Sequence, residues 1–177
     1  MKERIEKDSL GAARIPGQAY WGKETQRALA VFQVSGEPMP APVIQAVARI
    51  KRHAALVNAE LKLVSPRKAR AIARAAREVA RGKFDRHFPV DLYQSGSGTN
   101  SHGNVNEVIA NRAADLPGGK RGDRSLVHPN DDVNQGQSSN DVMPSARRLN
   151  AAFQIGFNPA LPSNGLCNPS VIGGKIS

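Results

Sequence analysis

Apolar residues recur every three or four positions in four segments of the chain, and this spacing predicts four amphipathic helices. The first predicted helix begins at Pro42. Its apolar stripe consists of Val43, Val47, Ile50, Ala54, Val57 and Leu61. Its opposite face, which we expect to be solvated, carries Arg49, Lys51, Arg52 and Glu60.

The second helix has clear start and stop signals. Ser65 is a suitable N-cap, Pro66 suits the first helical position, and Gly82 favours an end. The residues predicted to face inward are Ala69, Ile72, Ala76 and Val79. We expect this helix to form a hairpin with the first.

Two more helices and one strand are predicted after this hairpin. The third helix covers Val105 to Ala114, and the fourth begins near Asn140, where Asn140 or Asp141 can cap it. The apolar stripe of the fourth helix is Val142, Ala146, Leu149 and Phe153. A short strand is predicted from Val90 to Gln94, so the expected fold class is mainly α.

The two ends of the chain lack long periodic segments. Residues 1–41 contain frequent Gly and Pro, so we predict irregular structure there, with one short helix from Lys23 to Phe32. From Gln154 onward Gly and Pro are again frequent and Lys175 is the only charged residue. This composition predicts an irregular or disordered tail that cannot continue a helix.

The composition narrows the class of protein. At 177 residues, with 40% hydrophobic and only 5% aromatic residues, the chain suits one domain built from helices packed on helices. The single cysteine, Cys167, excludes an intramolecular disulfide and favours the cytoplasm. Neither a signal-peptide core nor a run of about 18 apolar residues is present, so we expect no membrane partner.

The chain has an excess of positive charge, with a formal net charge of +10. Much of it lies on the second predicted helix, on Arg67, Lys68, Arg70, Arg74, Arg77 and Arg81. A solvated helix face accounts for this spacing. A nucleic-acid stripe is the alternative, but almost no aromatic residue lies among the arginines to stack on a base.

The first of two polar loops, Gln94 to Asn100, reads Q-S-G-S-G-T-N and precedes the third helix. Hydroxyls and backbone N–H groups ahead of a helix N-terminus are suited to holding an anion. The alternative is an ordinary connecting loop. The loop lacks both the Lys-Ser/Thr ending of a P-loop and the G-x-G-x-x-G pattern.

The second polar loop, Val127 to Asp141, has more polar groups than a connection needs. His128, Asp131 and Asp132 without a second histidine are a poor ligand set for a metal, so no metal is expected. A Ser-His-Asp triad can be assembled on paper, but the context of a nucleophile elbow is absent.

Several segments, taken in order along the chain, resemble class II fumarases. They are R-I-E-K-D-S-L-G at 4–11, Y-W-G at 20–22, T-Q-R at 25–27, G-S-G-T at 96–99, N-E-V-I-A-N-R-A at 106–113, H-P-N-D at 128–131 and S-S-N-D at 138–141. The resemblance covers roughly residues 3–150. Aspartase, from the same superfamily, is the alternative, and the Trp of Y-W-G, the Gln-Arg pair, Ser97 and His128 favour fumarase.

The resemblance implies a fold, an activity and an assembly. Residues 1–139 would form the N-terminal lyase domain of the fumarase/aspartase fold, residues 140–153 the start of the first helix of its central bundle, and residues 154–177 a tail that departs from the family. The activity implied is the reversible hydration of fumarate to L-malate in the tricarboxylic acid cycle, without a cofactor. The family assembles as a homotetramer.

The resemblance also assigns site residues. Those expected to bind substrate carboxylates are Ser97, Thr99, Ser138, Ser139 and Asn140. An accessory carboxylate site would comprise His128, Asn130 and Asp131. The substrate expected is therefore a small dicarboxylate.

The sequence departs from the family in two ways. Ser101-His102-Gly103-Asn104 replaces a segment that resembles S-N-M-N, which removes a methionine packing position. The family's catalytic histidine segment and its mobile Gly-Ser-Ser loop have no counterpart here, so we expect a truncated chain that is inactive and not tetrameric alone, from a frameshift or a premature stop. Another hypothesis is a non-catalytic chain that binds a full-length paralogue through the helix near Asn140.

Overall fold

The computed structural model of the chain describes residues 3–156. It begins with an antiparallel hairpin of β1, Glu3–Asp8, and β2, Gly11–Pro16, in a register that pairs Glu3 with Pro16. The prediction of irregular structure was wrong for these residues. An ion pair between Arg14 and Glu3 at 3.4 Å crosses the two strands, and Arg27, beyond the hairpin, donates to both oxygens of Asp8 at 2.7 Å.

Five α-helices follow the hairpin and confirm the mainly α fold class. They are α1, Lys23–Val31, α2, Ala41–Glu60, α3, Pro66–Val79, α4, Thr99–Asp115, and α5, Ser139–Gly156. A 3₁₀ turn at Asp85–His87 and a π-helical turn at Pro129–Val133 lie between helices. Within residues 3–156 the helices are too short or too polar for any of them to cross a membrane.

Helices α2 and α3 form the predicted hairpin. The Ser65 hydroxyl accepts a hydrogen bond from the Lys68 N–H at 3.4 Å and caps α3. All four residues predicted to face inward on α3 are buried. The arginines of this helix are exposed, as the predicted solvated face requires.

The buried face of α2 differs from the predicted one. Lys51, assigned to the solvent face, is completely buried, whereas Val57 and Leu61 are 50% and 62% exposed. The buried stripe instead contains Val43, Ile44, Val47, Lys51, Ala55 and Asn58. A polar contact across the fold, described below, accounts for the burial of Lys51.

The strand predicted at Val90–Gln94 is absent, and only an isolated bridge joins Asp91 to Pro38. The Asp91 carboxylate accepts backbone N–H groups from residues 34, 35, 36 and 93. These bonds tie residues 34–36 to a compact turn at Asp91, and they occupy the Tyr93 N–H that a strand would use for pairing.

Helix α4 is the centre of the molecule, and Val105, Val108 and Ile109 are fully buried in the core that it shares with α2, α3 and α5. It begins at Thr99, one and a half turns before the predicted start. Helix α5 begins beside the predicted position and continues through Gly156, so the predicted break at Gln154 was wrong for the first residues of the tail. The rest of the predicted tail, 157–177, lies outside the described residues.

Candidate functional site

The N-E-V-I-A-N-R segment on α4 holds the N-terminal part of the chain. The Glu107 carboxylate, 2% exposed, accepts the backbone N–H groups of Gly22, Glu24 and Thr25 at 2.8, 3.0 and 3.0 Å. Burial raises the pKa of Glu107, while these hydrogen bonds act in the opposite direction. Its position at the N-terminus of α1 gives Glu107 a structural role.

Two neighbours of Glu107 also have structural roles. The Asn111 side chain donates to the Tyr20 carbonyl at 2.8 Å and accepts the Gly122 N–H at 2.7 Å. Arg112 forms an ion pair with Glu78 on α3 at 2.7 Å. This segment therefore joins α4 to the chain around it, and its Glu107, Asn111 and Arg112 side chains are bonded to the protein itself.

The two polar loops meet at the N-termini of α4 and α5. The hydroxyls of Thr99 and Ser139, the first residues of these helices, lie 3.1 Å apart, and the Ser97 hydroxyl donates to Asn140 Oδ1 at 2.5 Å. The N-terminus of a helix carries partial positive charge, and two such ends meet here. Side chains 40 residues apart in sequence thus form one polar surface.

Local contacts explain why the first loop turns into α4 at this position. Gly98 has a φ of 76°, and a Cβ there would lie 3.0 Å from Met143 Cε of α5. Glycine therefore suits both the left-handed conformation and the close approach of the two helices. Gln94 Oε1 accepts the Ser101 N–H at 2.7 Å and caps the first turn of α4.

The remaining predicted carboxylate-binding residue, Ser138, lies beside this pair of loops. Its hydroxyl accepts the Asn140 N–H at 3.2 Å. Thr99, Ser138 and Asn140 are exposed, while Ser97 and Ser139 are half-buried. Their hydroxyl and amide groups are thus placed where an external carboxylate could accept hydrogen bonds.

The three residues predicted for the accessory site lie on the π-helical turn. His128 Nδ1 accepts the N–H groups of Asn130 and Asp131 at 3.3 and 3.1 Å, so His128 is the N-cap of this turn. Asp132 accepts the His128 N–H and the Lys68 ammonium, each at 2.7 Å. The hydrogen-bonded turn is thus present, while the Asp131 side chain is 80% exposed.

A cavity of about 210 Å³ connects the two loops with the interior. Several of its residues, among them Thr25, Asn106 and Asn134, belong to no site predicted from the sequence. The cavity is lined by Glu24, Thr25, Thr99, Asn100, His102, Gly103, Asn104, Asn106, Asn130, Asn134 and Ser139. The sequence signal that could have found them is the high density of Asn and Gln around the polar loops.

His102 contributes a neutral group to this cavity. Burial, together with the positive charge of Lys51, lowers the pKa of His102 to about 3. Within residues 3–156 its Nε2 atom has no hydrogen-bond partner. Over the same residues, no group of three or more His, Cys, Asp or Glu side chains is arranged to hold a metal ion.

The sequence and the structure both have relatives among lyases. A family model described as lyase matches residues 11–160. The class II fumarate hydratase of Bordetella parapertussis is 53% identical over 155 residues, which cover 88% of this chain and 34% of the relative, and that of Chromobacterium violaceum is 52% identical over 152 residues, or 86% and 33%. The chain thus spans about a third of the length of the curated relatives it matches.

Solved structures agree with these relatives. The class II fumarase of Schistosoma mansoni matches with a TM-score of 0.84 and 42% identity, covering 88% of this chain and 33% of that one. A fumarate lyase:delta crystallin protein of Brucella melitensis matches with a TM-score of 0.84 and 41% identity, covering 88% and 36%. The chain therefore belongs to the lyase family, and its homologues are the class II fumarate hydratases.

Proposed function

We propose that this chain supplies the carboxylate-binding part of a fumarate hydratase site. The residues that bind the substrate are Ser97, Thr99, Ser138, Ser139 and Asn140. The observation that carries the proposal is the 3.1 Å contact between Thr99 and Ser139, because it unites the donors of two helix N-termini on one surface. The similarity to class II fumarate hydratases supports the choice of fumarate and L-malate as ligands.

The chemistry explains why neutral donors are useful at this place. Dehydration of malate removes a proton from the carbon beside a carboxylate, and negative charge then accumulates on that carboxylate before the hydroxyl leaves as water. Fixed donors aimed at the carboxylate stabilise this charge more in the transition state than in the ground state. The substrate's own carboxylate accepts the electrons, so the reaction requires no cofactor.

The proposal extends to the π-helical turn and to the biological setting. His128, Asn130 and Asp131 form an accessory carboxylate site, with Asn130 lining the same cavity as Thr99. The activity belongs to the tricarboxylic acid cycle in the cytoplasm, and the site is completed within a homotetramer of longer chains.

The proposal is tested by titrating the ¹⁵N-labelled 177-residue chain with fumarate and following amide chemical shifts. We expect the largest shifts at Thr99, Ser139 and Asn140, and about tenfold weaker binding in Thr99→Ala and Asn140→Ala, since each loses a hydrogen bond to a charged group. Ser145→Ala, on the same helix as Asn140, is the matched control and should bind as the wild-type chain does.

Further ligands sharpen this titration. Fumaramide has the shape of fumarate without its charge and should produce no shifts at the two loops. Aspartate binding tighter than malate would favour the ammonia-lyase alternative. Fumarate shifts that are absent, or that are confined to the arginines of α3, would contradict the proposal.

A second candidate function is association with a full-length lyase through α5. Ile155, in the last turn of this helix, is 43% exposed and presents an apolar side chain to a partner helix. Size-exclusion chromatography of the chain mixed with a class II fumarate hydratase tests this. An unchanged elution volume of the hydratase, with the chain eluting separately, would contradict it.

A further inference from the structure

Lys51 is the largest of the fully buried side chains of the described residues, with an exposure of 0%. Its ammonium donates to Asn134 Oδ1 at 2.6 Å. No carboxylate within residues 3–156 forms an ion pair with it, although buried ammonium groups are normally paired with one. Burial alone lowers the pKa of Lys51 to about 7. Such an arrangement costs stability and therefore calls for a functional reason.

The partner of Lys51 belongs to the second polar loop. Asn134 donates onward to the Gln137 carbonyl at 3.1 Å and lines the cavity beside Thr99 and Ser139. Asn58, two turns after Lys51 on α2, donates to the Gln135 carbonyl at 3.0 Å. Helix α2 thus holds residues 134–137, which lead directly into Ser138, Ser139 and Asn140.

The charge of Lys51 also reaches the cavity. It contributes, after burial, to the lowered pKa of His102, which lines that cavity. Among the lining residues only Glu24 carries a formal charge, and that charge is negative. The hydroxyl and amide donors of the site are neutral, so the lining itself offers a dicarboxylate no positive charge.

We propose that Lys51 is a positioning residue of the carboxylate site, whose ammonium fixes Asn134 and the segment that carries Ser138, Ser139 and Asn140. In its protonated form Lys51 also places a positive charge one hydrogen bond behind Asn134, which lines the cavity. The ligand class that it selects is a small dianion. This inference rests on the proposed function for its ligand, but the positioning of residues 138–140 is independent of any ligand.

The test compares Lys51→Met with the wild-type 177-residue chain. Methionine fills similar volume without charge, and replacing a buried charge by an apolar residue of similar size is often neutral or stabilising. We expect Lys51→Met to unfold at the same or a higher urea concentration, yet to bind fumarate about tenfold or more weakly. Arg52→Met removes the same charge one position along α2 and should change fumarate affinity less than about twofold.

Two readouts separate positioning from a merely structural role. In Lys51→Met, amide hydrogen exchange of Ser139 and Asn140 should accelerate while that of the α3 core is unchanged, and the pKa of His102, followed by imidazole NMR shifts, should rise. Asn134→Ala breaks the same contact from the loop side and should accelerate the same amides. It keeps the test available if Lys51→Met does not fold.

The outcomes distinguish this inference from the proposed function. Wild-type fumarate affinity and unchanged exchange at Ser139 and Asn140 in Lys51→Met would overturn the inference and leave the proposed function intact. Absence of fumarate binding by the wild-type chain would overturn the proposed function and the ligand selected by Lys51. The exchange rates would then decide the positioning role alone.

Discussion

Hydrogen-bond donors are gathered both at the N-terminus of α1 and where the N-termini of α4 and α5 meet, and the two places differ in what those donors bind. At α1 the protein inserts its own Glu107, which is buried and accepts three backbone N–H groups. At the meeting point of α4 and α5 the donors are side chains of Thr99, Ser139 and Asn140, and two of these residues are exposed. The first arrangement stabilises the fold, and the second leaves donors available to a ligand.

A polar motif in the sequence therefore does not identify a ligand-binding site by itself. The N-E-V-I-A-N-R segment is as rich in polar groups as either loop, yet its Glu107 carboxylate and its Asn111 amide are bonded to backbone groups of this chain. The loops differ because their hydroxyls bond to side chains of the opposite loop, Ser97 to the Asn140 amide oxygen and Thr99 to the Ser139 hydroxyl. A hydrogen bond between two such neutral side chains can be replaced by a hydrogen bond to a carboxylate at little cost in free energy.

Removing the internal carboxylate should have the largest effect. Glu107→Ala leaves three N–H groups without acceptors, and we expect the free energy of unfolding to fall by about 3 to 5 kcal/mol in a urea titration. Glu60→Ala, an exposed glutamate at the end of α2, should change it by less than about 0.5 kcal/mol. A loss below about 1 kcal/mol for Glu107→Ala would show that the internal carboxylate is not a structural centre.

The close fit around Glu107 gives the second prediction. A Cβ on Gly22 would lie 2.5 Å from Glu107 Oε1, which its three hydrogen bonds hold in place. Gly22→Ala should therefore lower the free energy of unfolding by about 2 to 3 kcal/mol. Gly96→Ala, in the first polar loop, meets no atom within 4 Å and is the matched control. Equal free energies of unfolding for Gly22→Ala and Gly96→Ala would show that Gly22 is not closely packed against Glu107.

Much of the fold was predictable because the helices carry local signals. Ser65 and Pro66 mark the start of α3, and the apolar positions of α3 repeat with the helical period. The β1–β2 hairpin escaped prediction because its side chains are mostly charged and exposed, so no alternation of apolar and polar residues marks it. The start of α4 was predicted late because its cap is supplied by Gln94, seven residues before Ser101.

The candidate site was predictable only in part, for a similar reason. The loop residues Thr99 and Asn140 are identified by their resemblance to a family, whereas periodicity assigns Lys51 to the solvent face of α2. Its partner, Asn134, lies 83 residues away in sequence, and only the assembled fold brings the two together. Local patterns contain no information about such a contact.

The open site should also respond to pH through His102. The folded-state pKa of about 3 lies below the ordinary value near 6.5, so as the pH falls below 6.5 the unfolded chain binds a proton that the folded chain does not. Stability present above pH 6.5 is therefore lost on acidification. Between pH 7 and 5 the wild-type chain should lose about 2 kcal/mol more than His102→Asn.

The measurement is urea unfolding at several pH values, with His53→Asn as the control. His53 is exposed on α2 and does not line the cavity, so this substitution is the matched exchange of a histidine outside the site. Parallel stability curves for the wild-type chain and His102→Asn would show that His102 is not held neutral within the fold. The cavity between α4 and α5 would then have no neutral imidazole in its wall.

The smallest expected effect is at Gly103, where an added methyl group tests whether the cavity beside α4 has free space. Gly103 lies inside α4 and lines the cavity, and a Cβ there meets no atom within 4 Å. Gly103→Ala should raise the free energy of unfolding by about 0.5 to 1 kcal/mol, because alanine restricts the unfolded chain without strain in the helix. In urea unfolding, Gly103→Ala and Gly22→Ala should change the free energy of unfolding in opposite directions if the space beside Gly103 is open and the space beside Gly22 is filled. A lower free energy of unfolding for Gly103→Ala would mean that atoms close to α4 fill the space beside Gly103. The cavity would then be as closely packed at Gly103 as the Glu107 carboxylate is at Gly22.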